Sequence, residues 1–441
     1  MKRYNLMTAV LALMLAGALA FTGCPKTTGD DDPDTSTPTG LVPIDLVPEP
    51  IDLVPAITYT AAADGDVVAA STKIDFVFAA AVTGLAAADI TIAGATKGTL
   101  TETDSTHWSL ALTVTTPGAA TVSINKAGIA SGTKPITLYG GLTFTAVTPA
   151  TPAFGSTSIR GVTYGGTTFV AVGANGKIGT SSDGDTWAAA TTTPSVFGTT
   201  SSDVIMGVAY GGGTFVAGGT NPKIATSTDG ATWALATSAP TAFSGSTGIY
   251  EVTYGGGKFV AVGLNGKIGT SPDGAAWTAS PQSVFSAGIY GVTYGGGKFV
   301  AVGANGKIGT SPTGTDWEEA TSSPVFSGSD VIMGVTYGGG KFVAVGNGSN
   351  KIGTSPDGVT WTARTQSVFT STNTIYGVSY GGGKFVAVGV GGKMVASADG
   401  ETWEAVTTTG SSNGFMGVTY GGGKFVAVGD NGKIAYSNLQ E

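Results

Sequence analysis

The side chains able to do chemistry in this chain are few, and most recur at a fixed interval. There is one His, His107, and one Cys, Cys24, in 441 residues. So few soft ligands cannot assemble a His/Cys zinc or iron site, and one cysteine makes no intrachain disulfide. No metal and no other cofactor is expected. A Ser-His-Asp triad needs a base beside its nucleophile, and His107 sits next to Trp108, far along the chain from the repeated segments. The acids are largely periodic. Ser-x-Asp-Gly-x-x-Trp begins at 181, 227, 271, 355 and 397, and a copy at 311 carries Thr313 in place of Asp. A carboxylate there can accept backbone N–H bonds across its own turn while the Trp packs on a sheet. That role is structural. Outside the motif, Asp203, Glu251, Asp330 and Glu404 have no evident partner, whereas glycoside hydrolysis needs two carboxyls about 5–10 Å apart. Gly-Gly-Gly-Lys and Asn-Gly-Lys precede strand-like segments with no Ser or Thr after the Lys, so they are hairpin turns and not phosphate loops. No catalytic residue is assigned.

Function is expected where the repeats differ. Tyr164, Tyr210, Tyr254, Tyr294, Tyr337, Tyr380 and Tyr420 recur with Phe169, Phe215, Phe259, Phe299, Phe342, Phe385 and Phe425, which marks them as packing between units. The residue just before each Gly-Val-Thr-Tyr varies: Arg160, Met206, Tyr250, Tyr290, Met333, Tyr376 and Met416. If it begins the innermost strand, this column rings one mouth of a central channel. Aromatic and Met side chains there offer flat or adaptable contact to a sugar face or a protein loop. Glu251 replaces the Gly of the other six units and, with Arg160, is the only charge in these short strands, placed to orient a ligand. The same column also suits a plug that packs neighbouring units together; the sequence leaves both readings open.

The elements that hold this column follow from composition and period. Gly accounts for 72 residues and charged residues for 11%, against ordinary values of roughly 7% and 25%. A charged helical bundle is excluded, and with 41% hydrophobic residues so is a wholly disordered chain. Gly-Val-Thr-Tyr-Gly-Gly and its variants begin at 161, 207, 251, 291, 334, 377 and 417. Each unit offers four strands, for example 289–294, 298–302, 307–310 and a segment from Trp317, with Gly-Gly-Gly and Asn-Gly hairpin turns between them. Four strands in about 42 residues, repeated, is the arithmetic of a β-propeller blade, here seven of them. The Ser-x-Asp-Gly-x-x-Trp motif resembles the Asp-box of sialidase-like (BNR-type) and photosystem-assembly propellers, one residue shorter between Asp and Trp. The resemblance implies the fold and not the sialidase activity, which grips its substrate with three arginines; beyond Arg3 the chain has only Arg160 and Arg364. The seventh unit stops at Ser437 without a fourth strand, and residues 143–147 (Thr-Phe-Thr-Ala-Val) match 186–190 (Thr-Trp-Ala-Ala-Ala). The segment 142–148 therefore closes the ring and removes its open edge, or else ends the preceding domain.

That preceding domain, 56–141, alternates in short runs at 73–78, 89–92, 108–114 and 120–124. It resembles the Ig-like domains of bacterial surface proteins, which implies a β-sandwich spacer. Residues 1–23 read as an export signal: Lys2 and Arg3, then an apolar stretch at 9–21 too short for a comfortable span. Phe21-Thr22-Gly23-Cys24 resembles the lipobox of bacterial lipoproteins, which implies lipidation of Cys24. Residues 24–55 are acidic and Pro-rich, an extended tether that at about 3.1 Å per residue reaches up to roughly 90 Å.

The net charge is −8 with no basic stripe, which argues against nucleic acid as a partner. The expectation is an all-β chain: signal peptide, tether, Ig-like β-sandwich and a seven-bladed β-propeller over 142–441. Its expected role is that of a lipid-anchored binding or adhesion protein of the cell envelope, at the outer membrane or cell surface, recognising a glycan or a protein. The rival functions are a glycan-processing hydrolase or lyase and an envelope assembly scaffold.

Overall fold

The computed structural model describes residues 56–438, apart from 66–68, 148–152, 191–193, 237–241, 246–247, 282, 321–324, 349–351, 371–372 and 409–413. The leader, the tether and Cys24 lie outside the described residues.

The first part of the described chain is built from two sheets. One orders Tyr59–Ala63, Lys73–Phe78, His107–Val114 and Ala95–Asp104; the other orders Ile90–Ile92, Gly118–Ile124 and Thr133–Leu138. Period-two alternation puts Ile74, Phe76 and Phe78 inside and leaves Val77 exposed. Inward residues of both sheets, among them Phe76, Trp108, Leu110, Ile90, Val122 and Ile136, share one core. The strand expected at 89–92 starts one residue later. Ala87–Asp89 form a 3₁₀ turn, in which the Asp89 carboxylate accepts the Ala86 N–H at 2.9 Å.

The rest is a β-propeller. Among the described residues, seven sheets repeat one meander, and their innermost strands neighbour one another in cyclic order from Ile159–Gly165 through Phe415–Gly421 and back to the first. The second strand of each, Lys298–Gly303 for instance, is buried at nearly every residue. Its apolar run does not alternate because a neighbouring sheet covers each face, the condition that makes a strand read as continuously hydrophobic. Gly-Gly turns such as Gly256 (φ +55°) and Gly257 (φ +78°) use left-handed backbone, which costs Gly little and gives a two-residue hairpin its twist. The fourth strands are shorter than the sequence implies: Glu318–Glu319 has two residues. The reason is Trp317, whose indole N–H donates to the Gly314 carbonyl at 3.0 Å. The Trp thereby belongs to the turn, and the strand starts only after it.

In the last sheet the outer position is taken by Thr143–Ala146. It pairs antiparallel with Ile434–Ser437, in the register Ala435 to Ala146, Tyr436 to Thr145 and Ser437 to Phe144. Phe144 is 1% exposed and packs among Val386, Phe425 and Ala435. A further short strand, Thr407–Thr408, runs parallel to it on the other side.

The candidate site at the channel mouth

Each innermost strand carries the same irregularity near its start. In the second sheet Ile205 faces Gly219 and Gly207 faces Gly218, so Met206 is an extra residue opposite no partner. The slip recurs around Tyr250, Tyr290, Met333, Tyr376 and Met416, and around Arg160 in the first sheet. The variable column is therefore a ring of β-bulge residues. Each strand begins one residue before it, at a buried Ile or Phe, as the expected strand 289–294 does, so the column is the second residue of each strand and not its first. A bulge breaks the two-residue alternation and re-aims the side chain it carries. All seven bulge side chains are half-buried.

The ring does not converge as a whole. Arg160, Glu251, Met333, Tyr376 and Met416 line one channel cavity of about 110 Å³, whose wall is otherwise Gly and Val. Met206, Tyr250 and Tyr290 are outside that lining; Tyr250 and Tyr290 pack edge to face, ring centres 5.0 Å apart at 82°. Tyr376 and Met416 also border a second, more open pocket of about 460 Å³, together with Ser158, Val390, Asp430 and Asn431. There the Ser158 hydroxyl donates to the Asp430 carboxylate at 2.9 Å. Sequence reasoning missed this outer rim. Its signal was the residue before Asn-Gly or Gly-Gly in the Val-Gly-x turn, which varies as Ala174, Leu264, Ala304, Val390 and Asp430.

The two charged residues of the cavity are poorly served by the protein around them. Arg160 Nη1 points at the thioether of Met416, 3.8 Å away, and its buried Nε has no protein acceptor. Glu251 accepts one backbone N–H, from Val252 at 3.0 Å. Among the described residues neither joins an ion pair. Enclosure by the channel wall pushes the Glu251 carboxyl up to about 8, because burial penalises the charged form. The six glycines aligned with Glu251 pack against the next inner strand, Gly161 on the Met206 carbonyl and Gly334 on that of Tyr376. Glu251 instead brings its carboxyl over Gly207.

The recurring acids are engaged in their own turns. The Asp229 carboxylate accepts the N–H of Thr232 at 2.7 Å and of Ala231 at 2.8 Å, and the Ser227 hydroxyl at 2.9 Å. The Thr232 bond is the largest influence holding it below the ordinary carboxylate range. In the first domain, exposed His107 meets Asp104 through Nδ1 at 2.9 Å. Among the described residues no three His, Cys, Asp or Glu are placed to share a metal ion, and no helix is long and apolar enough to cross a membrane.

Comparison with known proteins agrees with the fold. A family model described as the DUF6242 β-propeller domain matches residues 312–441. Virginiamycin B lyase from Staphylococcus aureus superposes with a TM-score of 0.54 at 17% identity, over 68% of this chain and 99% of that one. YCF48 from Cyanidioschyzon merolae gives 0.52 at 18% identity, over 68% and 100%. A structure of YCF48 bound to D1 peptide gives 0.51 at 19%, over 65% and 93%. These likenesses establish a β-propeller. No curated protein sequence matches the chain.

Proposed function

We propose that this chain is a lipid-anchored binding protein of the cell envelope, whose propeller receives a protein segment at the channel mouth. In this reading each of the seven sheets is a blade, residues 142–148 close the ring, and an Ig-like domain and tether hold the ring away from the membrane. The proposed role is binding and not catalysis: among the described residues Glu251 is the one acid lining the channel cavity, and a lone carboxyl does not make a glycosidase pair.

The observation that carries the choice of protein over glycan is the arrangement of the rim. Tyr250 and Tyr290 spend their rings on each other, edge to face, and so do not form a flat platform for a sugar. The wall of the open pocket sets Met416, Tyr376 and Val390 beside Ser158, Asp430 and Asn431, adaptable apolar contact for a side chain next to polar groups that can meet a peptide backbone. The peptide held by a YCF48 propeller is a precedent for that use of the fold.

The test is binding of the purified protein to a peptide array and a glycan array, with Tyr376→Ala/Met416→Ala beside the parent. Peptide binding lost in the double variant at unchanged melting temperature supports the reading. Binding confined to glycans, or peptide binding untouched by the double variant, overturns it. The anchor is tested separately: Cys24→Ser should move the protein from the detergent phase to the aqueous phase, and an unmodified mature N-terminus elsewhere would refute lipidation.

A further inference from the structure

The channel holds a cation, Arg160, for which the described residues supply no oxygen acceptor. Arg160 offers five N–H donors in a planar fork, and its one side-chain contact is a thioether, a weak acceptor. Leaving a buried donor unpaired is costly. Glu251 faces the same cavity from two sheets away, with its single protein hydrogen bond made to its own strand. We propose that Arg160 and Glu251 form a receptor for a carboxylate group, and that the protein segment bound at the mouth enters the channel by its free carboxyl terminus. This rests on the reading of the mouth as a protein-binding site and specifies what that site recognises.

Size and continuity support the assignment. A cavity of about 110 Å³ holds several waters and so admits a small polar group. A carboxylate and its carbon fit, whereas a folded element does not. Tyr376 and Met416 border both this cavity and the open pocket, so a group seated at Arg160 continues directly into the wider space. The residue behind the carboxylate then lies against Tyr376 and Met416, and Asp430 at the rim faces the backbone N–H groups of the incoming segment. A guanidinium suits a planar carboxylate because two parallel N–H bonds can reach its two oxygens. Glu251, on the wall of the same cavity, is kept neutral by burial and so does not repel the incoming group. A phosphate dianion would demand more cationic charge than one Arg, and no second Arg or Lys lines the cavity.

The chain's few arginines make the test direct. With Arg3, Arg160 and Arg364 alone, the full-length protein labelled with ¹⁵N-arginine gives a simple Nε–Hε spectrum, assigned with Arg364→Lys. N-acetylglycine should shift the Arg160 signal saturably, and N-acetylglycinamide should not. Acetylated tetrapeptides chosen from the array are then compared as free acids, as terminal amides, and as amides with an internal Asp. Free acids should bind best, and Arg160→Gln should weaken them about tenfold or more, the loss expected for a charged hydrogen-bonding partner. Glu251→Gly restores the residue of the other six repeats and so should fold; it should weaken free-acid binding while retaining some of it. Tight binding of the internal-Asp amides would show that a side-chain carboxylate, and not a chain terminus, is the ligand, and would overturn that part. If acids and amides bind alike and Tyr376→Ala/Met416→Ala still abolishes both, the mouth reading stands and the carboxylate receptor falls. An Arg160 signal unmoved by N-acetylglycine and by every free-acid peptide also sinks it.

Discussion

The ring of Tyr164 fills the space that a side chain at Gly421 would need, and so joins the first inner strand to the last. The same pairing links each sheet to the next, with Tyr210 on Gly165, Tyr254 on Gly211 and Tyr420 on Gly381. Each Tyr also lies against the Phe of its own second strand, Tyr164 and Phe169 having ring centres 4.6 Å apart. Absence of a side chain on one sheet thus sets how closely its neighbour approaches.

Gly421→Ala should therefore destabilise by about 1–3 kcal/mol, the range for overpacking a filled core. Gly383, in the equivalent turn of the preceding sheet, is the control. It has left-handed backbone (φ +76°) and open space around the position of a side chain, so Gly383→Ala should cost only the backbone term of about 1–2 kcal/mol. Urea midpoints measured on both variants and on Gly421→Ala/Tyr164→Ala decide the matter. The Tyr164 substitution should suppress the Gly421 penalty, and an unchanged penalty would remove the packing argument.

Periodicity made the propeller legible because each repeat must bury the same surfaces against its neighbours. The Tyr and Phe columns followed from identity across units, and the Asp-Gly turns from the backbone they require. The bulge was not legible. Nothing in Ile-Tyr-Gly-Val differs from a regular strand start, since the slip arises from pairing Ile289 with Gly303, and Gly291 with Val302, across the hairpin. Tyr250 and Tyr290 were for the same reason grouped with Tyr376 as one rim. Bulge residues aim individually, and the first two turn to each other. The short fourth strands escaped notice because a Trp reads as a strand residue until its indole is seen to bond back to its own turn.

The strand Thr143–Ala146 gives the next expectation. Phe144 is buried among residues of the last two sheets, so Phe144→Ala should cost about 3–5 kcal/mol, as for other buried aromatics. A chain shortened to begin at residue 152 should also leave Ile434–Ser437 as an open edge and aggregate, whereas one beginning at 139 should not. Equal melting temperatures and equal solubility of the two shortened chains would show that the strand is dispensable to the ring.

The turn at 311–317 lacks the carboxylate of its counterparts. Thr313 Oγ1 reaches the Thr315 N–H at 3.3 Å, where Asp273 in the preceding unit accepts the N–H groups of Ala275 at 2.9 Å and Ala276 at 3.0 Å. Thr313→Asp should recover both bonds and raise stability by about 0.5–1.5 kcal/mol. The carboxyls of these turns sit below the ordinary range because backbone N–H groups favour the ionised form. The gain should then be present at neutral pH and disappear as the pH falls through the carboxylate range. A gain that persists in acid would mean that its origin is not the carboxylate.

Glu251 should give the protein a pH dependence of the opposite sign. Its carboxyl is raised from 4.5 to about 8 by burial, so between those values the folded protein keeps a proton that the unfolded chain has released. Stability falls with rising pH wherever the folded state binds more protons. The Glu251 contribution is therefore most favourable below about 4.5, declines through neutrality and levels off above about 8. Glu251→Gln cannot ionise and keeps a similar shape, so the variant should lose this decline while retaining the acid-side changes caused by the Asp-Gly turns. Urea unfolding of both proteins between pH 4 and pH 9 measures the difference directly. It should shift steadily in favour of Glu251→Gln as the pH rises. Parallel stability curves across that interval would show that Glu251 ionises as an exposed carboxylate does, with the channel wall imposing no cost.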